Sequence, residues 1–133
     1  MNKKGFTLVE VLAVVVILGI IGVITVPFIM NIINKSKRNA FVDSSRFLVK
    51  AASQYRSNAI MNHTDRTLNI NFATDKCPLE VSGELPNSGN LKMDENGNVE
   101  LRIWSDKAGI CVGKELNSSE VKIIDIDKNG CHL

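Results

Sequence analysis

The chain has 133 residues, 44% hydrophobic but only 5% aromatic, with 16 basic and 14 acidic side chains and a formal charge of +2. That length leaves room for one small folded domain and excludes several, because roughly a quarter of the residues are committed to an N-terminal apolar segment. Loss of Lys3 and Lys4 alone would bring the two signs level, at 14 basic and 14 acidic side chains.

The first element is a basic leader, Lys3-Lys4-Gly5, followed by Phe6-Thr7-Leu8-Val9-Glu10 and then by the twenty uncharged residues Val11 to Met30. As a helix those twenty residues extend about 30 Å, the thickness of a bilayer core. A secretory signal peptide is the obvious competitor, but its apolar region runs about 7–15 residues and ends in a small-residue cleavage site. This run is longer and leads into Asn31-Ile32-Ile33-Asn34-Lys35, which offers no such site. An unprocessed single-pass anchor carrying a surface binding domain is the other alternative, and it leaves Glu10 unexplained. A carboxylate just inside a membrane-spanning segment is costly and calls for a partner. Thr7-Leu8-Val9-Glu10 fits the S/T-x-x-E capping box, in which the carboxylate satisfies a backbone amide at the helix start, and this local role can coexist with a further partner.

Lys4, Gly5, Phe6, Thr7, Leu8, Glu10 and Pro27 together resemble the start of a type IV pilin precursor or a type II secretion pseudopilin. The resemblance implies cleavage between Gly5 and Phe6 by a prepilin peptidase that also methylates the new N-terminal Phe6. The product would be a subunit of a pilus or pilus-like filament, with Thr7, Glu10 and Pro27 serving assembly. The new Phe6 amine of a neighbouring subunit would then pair with Glu10, and the pair would set axial register, since a subunit seated one step off leaves both charges unpaired. Implied partners are that peptidase and methyltransferase, an assembly ATPase with its membrane platform, other pilin subunits, and membrane lipid before assembly. Charge on the two flanks of the span, Lys3, Lys4 and the initiator amine against Lys35, Lys37 and Arg38, leaves orientation tied. The resemblance and the cysteines of the head favour a single-pass protein with its head outside, displayed at the cell surface after assembly.

The helical pattern continues past Met30. Ile33, Ala40, Phe41, Phe47, Leu48, Ala51, Ala52, Tyr55, Ala59 and Ile60 recur at three- and four-residue steps, which predicts an amphipathic continuation stopping at Asn62-His63-Thr64-Asp65. Gly19, Gly22 and Pro27 fall inside the apolar half, where small residues permit close helix packing and proline is tolerated. The pilin resemblance implies that this stretch can loosen in a filament. Residues 31–61 carry six basic side chains against Asp43 alone, while 62–133 carry eight basic and twelve acidic. This is a basic stalk bearing an acidic head, read equally well as a solvated face or as an inter-subunit pairing.

Beyond the stalk the pattern becomes short β-rich runs: Leu68–Phe72, Leu79–Val81, Asn90–Met93, Val99–Trp104, Ile110–Val112 and Val121–Ile126. Gly83–Gly89 reads as punctuation, and Asp94-Glu95-Asn96-Gly97-Asn98 as a hairpin loop whose Asn-Gly supplies positive φ. The expected fold is α+β: a long N-terminal α-helix, membrane-spanning in its first half and amphipathic in its second, packed on a small antiparallel β-sheet head. The expected boundaries are a leader at 1–5, a transmembrane or filament-core helix at 6–30, its amphipathic continuation at 31–62, and the head at 63–133.

Three cysteines allow one disulfide and a leftover thiol in three pairings. The expected pair is Cys111 with Cys131, a C-terminal loop of the kind the pilin resemblance implies, leaving Cys77 free, buried or joined to another subunit. Asp125-Ile126-Asp127-Lys128-Asn129-Gly130 matches the opening of a calcium loop but lacks the closing glutamate, so a polar turn is the expectation and no metal is assigned. Asn62-His63-Thr64 and Asn117-Ser118-Ser119 fit the glycosylation sequon, a weak signal in so Asn- and Ser-rich a chain. His63 and His132 stand outside any metal or triad spacing, and no nucleophile elbow or phosphate loop occurs, which argues against an enzyme and against a cofactor. An acidic head with a single Trp104 disfavours a nucleic-acid partner, and with it a competence pseudopilin. The choice among major pilin, minor pilin and secretion pseudopilin stays open.

Overall fold

The computed structural model describes residues 5–133, so Lys3 and Lys4 of the leader lie outside the described residues. The elements in chain order are α1 (Leu8–Met61), β1 (Leu68–Asn71), β2 (Ser88–Met93), β3 (Val99–Ser105), β4 (Ile110–Lys114), β5 (Lys122–Ile124) and a 3-10 turn at Lys128–Gly130. The layout is α+β, and the chain divides into two compact units at Lys35/Ser36.

The first unit holds the apolar part of α1. Its large side chains are exposed all round, from Val11 and Leu12 through Phe28 and Met30, and this helix is long and apolar enough to cross a membrane. A side chain added at Gly19 or Gly22 would meet nothing within 4 Å. Pro27 sits inside the helix and removes one donor from the ladder. Two residues earlier the Thr25 hydroxyl donates to the Ile21 carbonyl at 2.6 Å, a back-bond that tends to bend helices.

The second unit packs the rest of α1 on the sheet. Phe41, Leu48 and Ala52 bury one stripe of the helix against Leu91, Met93, Val99, Leu101, Ile103, Ile110 and Val112. The strands alternate because only one sheet face meets the helix: β3 buries Val99, Leu101, Ile103 and Ser105 and half-exposes the residues between. Ser45 is fully buried within the helix stripe, and its hydroxyl donates to the Phe41 carbonyl at 2.7 Å.

All five strands are antiparallel in the sequential order β1-β2-β3-β4-β5. Met93 opposite Val99 closes the β2–β3 hairpin over Asp94–Asn98, but the loop differs from a two-residue Asn-Gly turn. Only Gly97 takes positive φ, at 90°, and the Asp94 carboxylate accepts from the Asn98 backbone N–H at 2.8 Å. In β2, Gly89 has φ 108°, and a Cβ there would collide with the Arg102 carbonyl on the opposite strand, a close approach that only glycine permits.

Two β-rich runs fold otherwise than expected. Leu79–Val81 forms no strand; it lies beside Ala51 and Gln54 of the helix and turns Leu79 and Val81 toward the core. Its alternation thus records packing on a helix rather than pairing in a sheet. The last run pairs only over Lys122–Ile124, because the Ile126 N–H turns back to the Ile124 carbonyl at 2.9 Å and leaves the ladder.

Helix α1 stops where the polar residues begin. The Thr64 N–H reaches the Ala59 carbonyl at 3.0 Å, the His63 N–H reaches Ile60 at 3.4 Å, and His63 takes φ 53°. This is a Schellman cap with histidine where glycine is usual. Left-handed backbone costs an L-residue about 1–2 kcal/mol, partly offset by the ~0.4–1 kcal/mol of extra unfolded-state freedom that glycine brings. We therefore expect His63→Gly to stabilise the head by about 0.5–1 kcal/mol, read as a higher urea midpoint in unfolding followed through Trp104 fluorescence. An unchanged or lowered midpoint counts against this account of the cap.

Candidate functional site

The N-terminal end of α1 gathers four of the residues singled out from sequence. Gly5 and Phe6 precede the helix and are exposed, Phe6 by 85%. Thr7 stands at the N-cap position, and the capping box is formed in both directions: the Thr7 N–H and hydroxyl each donate to Glu10 Oε2 at 2.9 Å, and the Glu10 N–H donates to the Thr7 hydroxyl at 3.3 Å. The helix therefore begins at Leu8 and not at Phe6, since the Thr7 side chain caps it by accepting from the Glu10 N–H, one of the orphan amides of the first turn. Both carboxylate bonds fall on Oε2, and Oε1 has no partner among the described residues. The cap thus fixes the carboxylate at the helix mouth while leaving one oxygen able to accept from a cation. Pro27 stands apart from this cluster, 17 residues further along α1.

The head holds a second constellation. Cys111 and Cys131 form a disulfide, with Cα atoms 5.8 Å apart across a sequence separation of 20, and Cys77 is a free, half-buried thiol. Cys111 lies opposite Trp104 in the β3–β4 pair. The Trp104 indole N–H donates to Asp106 Oδ1 at 2.9 Å, and Lys128 Nζ donates to the same oxygen at 2.9 Å. One covalent bond and one ionic contact therefore hold the C-terminal segment to β4 and the β3–β4 turn. Asp127, in the calcium-like stretch, caps the 3-10 turn by accepting from the Gly130 N–H at 3.0 Å. Among the described residues no three His, Cys, Asp or Glu side chains converge as metal ligands.

Sequence reasoning missed the network tying the 83–87 loop to its neighbours. The Glu84 N–H donates to the Ser44 hydroxyl at 3.2 Å, the buried Ser105 hydroxyl donates to Glu84 Oε1 at 3.2 Å, and the Ala108 N–H donates to Ser105 at 3.1 Å. No local signal marks these partners, which stand 40 and 21 residues apart.

Several head carboxylates are held below the usual range. The Lys128 ammonium and then the Trp104 indole lower Asp106; the Asn98 side chain and backbone lower Asp94; the Thr67 backbone and hydroxyl lower Asp65. Depressed carboxylates stabilise the fold above the unfolded value near 3.9, and that contribution disappears as pH falls through the lower folded value. Acid titration should therefore leave Trp104 fluorescence flat down to about pH 4 and change it below, with Asp106→Asn removing most of that change. A transition centred near neutrality would contradict the assignment.

With this geometry in place, comparison with known proteins gives one result: the family described as "Prokaryotic N-terminal methylation motif" matches residues 1–26. The matched stretch contains the capped Glu10 and the Gly5–Phe6 step, and it supports a type IV pilin-like or pseudopilin precursor, a structural protein, for this chain. The motif implies processing by a prepilin peptidase and assembly with other pilin subunits. With the apolar helix, it indicates membrane anchoring and a pilus. No curated protein and no solved structure matches the chain significantly.

Proposed function

We propose that this chain is a structural subunit of a type IV pilus or pilus-like filament. Prepilin peptidase cleaves the leader 1–5 after Gly5 and methylates Phe6. The subunit is then held in the membrane through residues 6–30, with its head outside. Residues 31–62 continue the helix and 63–133 form the head that the filament displays. An assembly ATPase and its platform draw the subunit from lipid into the filament. There the apolar helices form the core, and Glu10 accepts the Phe6 amine of a neighbour.

The observation that carries this reading is the capped Glu10 with one oxygen to spare, four residues after an exposed Phe6 within the matched motif. A capping box by itself gives no reason for a Gly5–Phe6 step. The loosening expected around Gly19 to Pro27 fits the same reading, because two glycines, a proline and a back-bonded Thr25 weaken one stretch of helix. Intact mass of protein from native cells, combined with electron microscopy of sheared surface fibres, tests it. A chain beginning at methylated Phe6 within fibres is expected; a chain retaining Met1 and no fibres would establish the unprocessed surface-anchored domain instead.

A further inference from the structure

Just past the apolar span, three cations fall within four consecutive residues of α1: Lys35, Lys37 and Arg38. All three are exposed, and none is in a salt bridge among the described residues. The nearest carboxylate further along the helix, Asp43, is taken by Arg46 at 2.7 Å. The uncharged run before them, Val11 to Asn34, rises about 36 Å as a helix. A bilayer has about 30 Å of hydrocarbon and about 40–45 Å with its headgroups. A span beginning at one hydrocarbon boundary therefore delivers residue 35 into the opposite headgroup layer.

We propose that Lys35, Lys37 and Arg38 bind the phosphates of anionic phospholipid headgroups in the leaflet at this end of the span, before the subunit enters a filament. The inference rests on the membrane-held stage of the proposed function and not on cleavage or on the Glu10 pairing. Lysine and arginine stems lie along apolar surface while their heads reach the phosphate layer, and the guanidinium fork of Arg38 matches phosphate oxygens in pairs. At 3.6 residues per turn the three bearings spread over roughly 160° of the helix circumference. Lipids surrounding a helix can answer that spread from several sides, whereas one flat protein surface cannot. Each cation near an anionic surface is worth about a fivefold preference at low salt.

The test uses the full chain reconstituted in phosphatidylcholine vesicles with and without phosphatidylglycerol. Spin-labelled versions of the two lipids report which one associates with the protein, and resistance to alkaline extraction reports insertion. Phosphatidylglycerol should be preferred several-fold, the preference should fall in ~0.5 M salt, and it should drop in the Lys35→Gln, Lys37→Gln, Arg38→Gln triple variant to the smaller preference that Lys3 and Lys4 of the other flank supply. Lys92→Gln, an exposed position on the head, should leave it intact. Equal association of both lipids with an inserted protein overturns the headgroup proposal alone. Extraction from both vesicle types overturns it together with the membrane-held stage. Equal association combined with loss of filaments in the triple variant also overturns it, and assigns the cations to the acidic head of another copy.

Discussion

Glu10→Gln is expected to leave the helix start intact while reducing filament yield roughly tenfold or more. The substitution separates the observed cap from the proposed pairing. Glutamine can still accept from the Thr7 N–H and hydroxyl, which now bond Glu10 Oε2, since the capping box admits Gln as readily as Glu. It cannot neutralise an amine. If capping were the whole purpose, Gln would assemble normally and only Glu10→Ala would suffer. If the carboxylate answers the Phe6 amine of a neighbour, both variants fail alike, because each buries that amine without a counter-charge among apolar helices. The measurements are mass spectrometry for cleavage and methylation, membrane fractionation for insertion, and the mass of sheared fibres. Processed, membrane-held Glu10→Gln with a normal fibre yield would remove the pairing from the mechanism.

Removing the disulfide should cost the head about 3 kcal/mol, the chain-entropy value for a loop of about twenty residues. Cys111→Ala with Cys131→Ala is the suitable variant, since both sulfurs are buried and a serine hydroxyl there would go unbonded. The loss should be cooperative with the ionic contact. Once the covalent tie is gone, Lys128 must hold Asp106 from a free segment, and an exposed ion pair is worth little by itself. Trp104, bonded to the same carboxylate oxygen, should report the release as changed fluorescence before global unfolding. Single variants should behave worse than the double one, because each leaves an unpaired partner able to bond with Cys77. A double variant with an unchanged urea midpoint would refute the stabilising role.

The parts legible in sequence are those where one physical signal dominates. The apolar run and the stripe through Phe41, Leu48 and Ala52 mark a helix, because burial on one side repeats every three or four residues. The antiparallel meander follows from alternation, and its loops from turn residues such as Gly97. Where two causes produce the same pattern, sequence misleads. Leu79 and Val81 alternate with Glu80 as a strand would, yet they rest against the helix. The left-handed His63 could not be foreseen, since histidine enters that region more often than most side chains but still seldom, and the cap geometry selects it. The Ser44, Glu84 and Ser105 network was hidden for a different reason: its members become neighbours only after the fold has formed. At the N-terminal site the capping box was legible in residue identity, and geometry adds that the cap occupies a single carboxylate oxygen.

Each strand of the head after β1 pairs with the one synthesised just before it. Such a sheet needs no early segment to wait for a late one, so each hairpin can settle on the last as the polypeptide emerges, with one long connection between β1 and β2 and short ones after it. Cys131 follows all five strands in the chain, so β4 already presents Cys111 when it arrives. Oxidation can therefore act as a late lock on a sheet whose strands are already paired.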